Sequence, residues 1–501
     1  MTTAPDTLTQ SRARPLPGKF NLQTVLLVLV FAPILSMAIR PATDPDLWWH
    51  LRTGQLIVQT GAIPHTDPFS FTFQGQPWIT HEWLTEVLIY GLYQLGGYDL
   101  LIATFALVVA TAFVLTYLRC PQGSRPYLAA LAVLLGVFMS APTFGVRPQV
   151  VSLLFTSIVL FLLDRYRQEA KLRYVLSLPF LMALWVNLHG GYILGIGIIA
   201  VVVSGELLEW LFIRRTKREE PNVPSLKPIL VLLAVLATCI LATLANPNGL
   251  EIWTYPFRTL GDSAVRAYID EWQSPNFHNL NMLSLLLMIL ALIGLGMAGR
   301  QRVRLPDALL TLIFAFFALQ SVRHIPLFAL VAAPVLAEEI TSLVQVPSTV
   351  HFPPRWAWLG PVLALAVLVL PAGRLMRSVA EQPQAESSGF PQKATDWILA
   401  HQPAGPLFND YNWGGYLIWR LNPAYPVFID GRAQDVYTPD FITQYANTVS
   451  GTPGWRDTFE RYDIRVALIS PGSALADALR HTPGWTAGYE DEQTVVFVFS
   501  G

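Results

Sequence analysis

The sequence predicts a mostly α-helical, polytopic membrane bundle of about eleven spans, with a small α/β domain at the C-terminus on the extracytoplasmic side. Three observations predict it. The 501 residues are 53% hydrophobic and only 13% charged, whereas a soluble globular chain carries about 25% charged residues. Apolar runs of membrane-spanning length recur through the first three quarters of the chain. Beyond about residue 385 the pattern changes to short strand-like runs separated by helix-like stretches. The formal net charge of −1 leaves no basic footprint for nucleic acid.

In chain order, Arg12, Arg14 and Lys19 precede an apolar run at 22–39. That run is long for a signal-peptide core and shows no small-residue cleavage site, so it reads as a retained signal anchor behind a cytoplasmic tail, 1–21. Further spans are expected at 99–118, 127–141, 149–163, 174–188, 191–213, 228–245, 281–298, 306–320, 326–345 and 357–371. Segments 84–95 and 251–260 read as amphipathic or interfacial pieces. Basic residues set the orientation. With the N-terminus inside, inner loops carry Arg119 and Arg125; Arg165, Arg167, Lys171 and Arg173; Arg214, Arg215, Lys217 and Arg218; and Arg300, Arg302 and Arg304. The short outer loops carry only Arg147 and Arg323, and the near-neutral loop 346–356 is the weakest point of the alternation. An odd number of spans puts the C-terminus outside. The expected division is therefore a tail at 1–21, a transmembrane domain at 22–380 whose first external loop is 40–98, and an extracytoplasmic α/β domain at 381–501 entered through a polar linker, 381–388. Strands are expected at 406–408, 427–429, 466–470 and 494–499. The two cysteines, Cys120 and Cys239, lie in unlike surroundings and suggest neither a disulfide nor a metal site.

With this topology the unusual polar residues sort to one face. Asp44-Pro45-Asp46-Leu47-Trp48-Trp49-His50 follows the first span, where two nearby acids beside hydrocarbon need a cation, a proton or a catalytic role. His81-Glu82-Trp83, Arg147-Pro148, His189-Gly190-Gly191, Asn246-Pro247-Asn248-Gly249, Asp270-Glu271-Trp272 and Arg323-His324 share that side. Each has a plainer reading. Trp48 and Trp49 suit an interfacial aromatic belt. Asp44 or Asp46 suits a cap on the helix beginning near Leu47. His189-Gly190-Gly191 suits a turn needing positive φ, and Asn246 to Gly249 another turn. Asp270 and Glu271 suit a solvated loop. Glu206 and Glu209 face basic residues at the opposite end and read as structural. Asn412-Trp413-Gly414-Gly415-Tyr416 and Asp430-Gly431-Arg432 read first as turns beside strands, with acceptor binding as the second reading.

These residues resemble the GT-C superfamily of membrane glycosyltransferases, which take sugars from polyprenyl-phosphate carriers and include the protein mannosyltransferases. The match lies in the paired acids soon after the first helix, interfacial helices in that loop, many spans and an external C-terminal domain. Asp67-Pro68-Phe69 and His81-Glu82-Trp83 occupy the part of the loop where such enzymes keep further site residues. More closely, the chain is similar to a bacterial branch sharing Asp-Pro-Asp-Leu-Trp-Trp-His, Arg-Pro-Gln, Asn-Leu-His-Gly and Gly-Gly-Tyr-Leu elements. The resemblance implies a multi-pass protein of the bacterial plasma membrane, a polyprenyl-phosphate-linked sugar donor and an envelope acceptor. The second external loop departs from the pattern: it holds Arg147 and no acid, leaving Glu82 or Glu271 to stand in and a divalent metal ion undecided.

The expected roles follow. Asp44, Asp46 and Glu82 are the catalytic candidates, a desolvated carboxylate being suited to general-base work. Arg147, Arg323 and His324 are expected at the donor phosphate, since guanidinium matches phosphate oxygens. His50, His81, His189 and Glu271 are expected to orient substrate. The competing readings are a transporter or flippase of a lipid-linked or anionic solute, and a non-enzymatic envelope assembly protein. No phosphate-cradling glycine loop or zinc spacing is present in the sequence.

Overall fold

A computed structural model describes residues 22–120, 126–216, 226–261, 270–298, 303–343 and 358–500. The N-terminal tail with Arg12, Arg14 and Lys19, the loop 346–356, and Arg125, Lys217, Arg218, Arg300 and Arg302 lie outside the described residues.

Each of the eleven expected spans overlaps helix among the described residues, several running a few residues past the helix ends. Among the described residues, five helical segments are long and apolar enough to cross a membrane: Trp83–Arg119, Pro126–Thr143, Gln149–Glu169, Tyr192–Arg214 and Val322–Leu343. Shorter apolar helices, including Leu226–Ala242, Leu283–Ala298 and Leu305–Gln320, stand among them. Large apolar side chains face outward along these helices, among them Phe138, Phe180, Phe212, Leu241, Leu290 and Phe316. Such a girdle is unfavourable in water and is what lipid contact favours. This is a multi-pass membrane protein.

The interfacial piece at 84–95 and the span at 99–118 form one helix, Trp83–Arg119, interrupted at two glycines. Gly97 has φ +57 and ψ −149, a conformation that disfavours side-chain-bearing residues, so the chain re-aims there without a loop. The helix Leu47–Thr60 lies against its first half, and Gly54 permits the approach, because a Cβ there would collide with the carbonyl of Glu86. The polar stretch at 381–388, expected as a linker, is helical instead. It ends the helix Leu359–Gly389, where Gln382 hydrogen-bonds both the N–H and the C=O of Ala42. Those two side-chain bonds, with Tyr98 donating to Glu386, hold the polar segment against the bundle.

The C-terminal sheet has the order β1-β2-β4-β3, with β1 Leu407–Asn409, β2 Val466–Ile469, β3 Trp485–Glu490 and β4 Val495–Phe499. β1 and β2 are parallel and connected through helices; β2–β4 and β3–β4 are antiparallel. Three expected strands are present. The fourth, at 427–429, is buried but belongs to no strand of the sheet. Val427 instead pairs with the first loop, accepting from Phe71 N–H and donating to the carbonyl of Phe69. β3 was not expected, because Trp-Thr-Ala-Gly-Tyr-Glu forms a largely exposed edge without the apolar alternation that signals a strand.

Candidate functional site

The C-terminal domain sits on the first loop through closely fitted backbone. Gly415 lies against the carbonyl of Pro45 and Gly431 against Asp46, each so tightly that a Cβ would collide. Trp48 is 1% exposed and packs edge-on against Tyr98, Phe390 and Tyr416. Trp49 is 5% exposed and donates from Nε1 to Asp46 Oδ1 at 3.0 Å. Neither indole belongs to an interfacial belt: the docked domain covers both.

Beneath this contact is a polar cavity of about 500 Å³. Asp44, Asp46, His50, His81, Glu82, Arg147, Glu271 and Arg323 line it from the bundle side, and Asp410, Tyr411, Asn412, Gly431 and Asp435 from the C-terminal domain. A second, mostly apolar cavity of about 210 Å³ adjoins it. His189, Gly191, Leu194, Phe314, Phe317, His324 and Leu327 line this second space, and Arg147, Gln149, Glu271, Trp272 and Arg323 line both. The ten residues given catalytic, phosphate-binding or substrate-orienting roles from the sequence therefore each face one of two contiguous spaces.

The two aspartates differ. Asp44 Oδ2 lies 2.9 Å from Arg147 Nε, and Asp44 Oδ1 accepts the backbone N–H of Asp46. Asp46 has no ion-pair partner among the described residues. Burial, then the neighbouring Asp44 carboxylate, push its carboxyl up to about 8. Neither side chain caps Leu47–Thr60 in the usual way, since Asp46 makes no side-chain cap bond.

Arg147 is closed by two acids. Its Nη1 and Nη2 donate to Glu271 Oε1 and Oε2 at 2.5 and 2.9 Å, and Asp44 holds its Nε edge. Burial would raise the Glu271 carboxyl, but Arg147 holds it below its ordinary value. Glu271 is thus no solvated loop acid. Arg323 faces both cavities, stacks over Trp272 at 5.2 Å, and has no carboxylate partner among the described residues.

Glu82 is a hub for three imidazoles. Its Oε1 lies 3.0 Å from His81 Nε2 and 3.2 Å from His189 Nε2, and its Oε2 lies 3.6 Å from His50 Nε2. Burial opposes its ionisation, yet His81 beside it holds it well below the carboxylate range. Burial likewise opposes the charged form of His81, but Glu82 and Asp435 hold its pKa above the ordinary value. Burial pushes His50 down to about 4, so it is neutral between Glu82 and Glu86. His189 Nδ1 accepts the N–H of Gly191 at 2.8 Å, which assigns its proton to Nε2, facing Glu82. Gly190 and Gly191 do not adopt positive φ; they are required by close approach, Gly190 to Tyr255 and Gly191 to Ser152. Asn246 does form the expected turn, with Gly249 at φ +55. Glu206 is structural as expected, pairing with Arg167 and Arg304 at the far end of the bundle.

These carboxylates already have partners: Asp44 and Glu271 meet Arg147, and Glu82 meets histidines. Among the described residues no group of three or more His, Cys, Asp or Glu is arranged to hold a metal ion.

Sequence reasoning placed Asp430-Gly431-Arg432 in a turn first and under-read it. Arg432 is fully buried, donates to Asp67 Oδ1 and Asp430 Oδ2 at 2.7 Å each, and lies against the rings of Phe69 and Trp78. Asp435, Tyr411 and Gln434 carried no sequence signal, since lone polar residues in a loop resemble any solvated turn. The collision at Gly431 gives a direct prediction. Gly431→Ala is expected to displace Asp46 and break the hydrogen bond it accepts from Trp49, read as a shift in tryptophan fluorescence, with circular dichroism unchanged.

Fold and cavities together define a multi-pass membrane protein with a polar chamber roofed by a soluble domain and joined to an apolar one. No protein-family profile and no curated protein sequence matches the chain. Among solved structures it is similar to ArnT from Cupriavidus metallidurans with undecaprenyl phosphate bound, at 15% identity and TM-score 0.46 over 95% of this chain and 97% of that one. The same enzyme in the apo state gives 17% identity and TM-score 0.48 over the same shares. The Archaeoglobus fulgidus oligosaccharyltransferase in the apo form gives 13% identity and TM-score 0.48, over 90% of this chain and 70% of that one.

Proposed function

We propose that this protein is a membrane glycosyltransferase of the GT-C type, moving a sugar from a polyprenyl-phosphate carrier to a hydroxyl or amine acceptor on the extracytoplasmic face. The observation that supports this reading is the shared wall between an acid-rich chamber and an apolar one, with Arg323 at the junction. An isoprenoid chain suits the apolar space, a sugar suits the polar one, and the phosphate joining them needs a cation where the two meet.

Asp46 is the base in this mechanism. It alone of the two early aspartates has no ion-pair partner among the described residues, and its raised carboxyl suits proton transfer near neutral pH. The acceptor oxygen or nitrogen attacks the anomeric carbon and gives its proton to Asp46. The bond from that carbon to the phosphate oxygen breaks, and polyprenyl phosphate leaves with the electron pair. Arg323 meets the charge on that phosphate. Arg147 is a positioning residue, holding Asp44 and Glu271 in place. Glu82 and its histidines fix the opposite wall.

The test is to supply purified protein with undecaprenyl-phosphate-linked mannose, glucose or aminoarabinose, together with a cell-envelope extract as the source of acceptor, and follow release of undecaprenyl phosphate. Release from at least one donor is expected, and Arg323→Ala should raise the donor KM about tenfold, the effect of losing one charge-assisted contact. Absence of release from every donor would overturn the reading, and an unchanged KM would remove Arg323 from it.

A further inference from the structure

The turn Ala433–Asp435 enters the polar chamber from the C-terminal domain. Arg432, immediately before it, is locked in the buried fork described above, and Ala433 sits at φ +40, a left-handed conformation that an alanine keeps only when its surroundings enforce it. The result of that strain is the placement of Asp435. Its side chain is nine-tenths buried, and its Oδ2 lies 3.7 Å from His81 Nδ1. Its Oδ1 is buried and has no hydrogen-bond partner among the described residues. A buried carboxylate oxygen left unpaired is unfavourable, and here it faces a space of about 500 Å³. The acids Glu82 and Glu271 share that space with the cations Arg147, Arg323 and Arg432, of which Arg147 and Arg432 are already paired and Arg323 lies at the junction with the apolar cavity, so directly beside Asp435 and Glu82 an anion is disfavoured. Burial, only partly offset by His81, raises the Asp435 carboxyl to about 6, which leaves it largely ionised at neutral pH.

We propose that Asp435 binds the acceptor substrate through an O–H or N–H donor, so that the C-terminal domain selects a hydroxylated or amino acceptor lacking an anionic group at that end. The identification of this ligand as the acceptor rests on the glycosyltransferase reading; the binding site itself does not.

Binding to the purified full-length protein is measured by saturation-transfer NMR with erythritol, ethanolamine and glycolate as probes of a polyol, an amine and an anion. Saturable binding of erythritol or ethanolamine, but not glycolate, is expected. Asp435→Ala should weaken the bound probes about tenfold, the value of one hydrogen bond to a charged group. Asp435→Asn keeps an accepting oxygen and should weaken ethanolamine by a similar factor while leaving erythritol within about threefold. A merely structural Asp435 would not separate the two probes in this way. Equal binding to wild type and both variants, glycolate bound as well as the others, or no saturable binding at all overturns the proposal. Probe binding that depends on Asp435, in a protein that cleaves no lipid-linked donor, overturns the glycosyltransferase reading alone.

Discussion

Asp46→Asn is expected to reduce sugar transfer by at least about a hundredfold, the lower range for removing a general base, while leaving the melting temperature unchanged or higher. The two halves of this result have one cause. In the folded protein, burial and Asp44 hold the Asp46 carboxyl up at about 8, above its unfolded value near 4. A group whose folded pKa is raised in this way binds its proton more tightly when folded. Its contribution to stability is therefore present at low pH and declines as pH rises from the unfolded value through about 8. Asparagine keeps the oxygen that accepts from Trp49 Nε1 and removes the ionisation that burial disfavours. Wild-type kcat/KM should rise with pH to a plateau above about 8, as the carboxylate form becomes populated. Asp44→Asn provides the contrast: it removes one of the two acids on Arg147 and the charge that helps raise Asp46, so it should lower turnover through geometry and move the rise below pH 8 without abolishing it. A fully active Asp46→Asn enzyme, or a profile flat between pH 6 and 9, would refute the assignment.

Much of this site was legible in the sequence because membranes sort residues harshly. Hydrocarbon does not tolerate stray acids, so Asp44, Asp46 and Glu82 were conspicuous, and the Lys/Arg alternation gathered distant motifs onto one side. Helices were equally legible, since apolar length is a one-dimensional signal. What could not be read was anything depending on three-dimensional pairing. Arg147 looked available for phosphate, but its fork is filled by Glu271, more than a hundred residues away. Which of Asp44 and Asp46 meets that arginine was equally unreadable. The segment at 427–429 had strand-like residues, and nothing local showed that its partner was the first loop instead of the sheet. The polar end of Leu359–Gly389 resembled a linker because its stabilising partners, Ala42 and Tyr98, are distant in sequence.

Arg432→Ala is expected to destabilise the junction between the C-terminal domain and the first loop by on the order of 3–5 kcal/mol, the usual effect of removing one member of a buried ion cluster. The guanidinium has no exposed surface. Its Nη1 donates to Asp67, its Nε and Nη2 to both oxygens of Asp430, and it lies within 5.1 Å of the Phe69 ring centre and 4.8 Å of that of Trp78. Tyr437 donates a further bond to Asp430. Truncation strands two carboxylates, at 67 and 430, in a site closed to water. Arg432→Lys should recover only part of the loss, because an ammonium cannot fill a forked site that reaches both Asp67 and Asp430. The damage should be located at this junction: the sheet domain keeps its own core, while limited proteolysis opens the first loop around residues 62–80 and turnover falls as the roof over Asp46 loosens. Paired substitution separates the charge from the packing. Asp67→Asn with Arg432→Met removes part of the cluster together, so the double variant should be more stable than the sum of the single effects. Proteolysis and melting like those of wild type in Arg432→Ala would show that the roof is held by the backbone pairing of Val427 with the first loop and not by this buried charge.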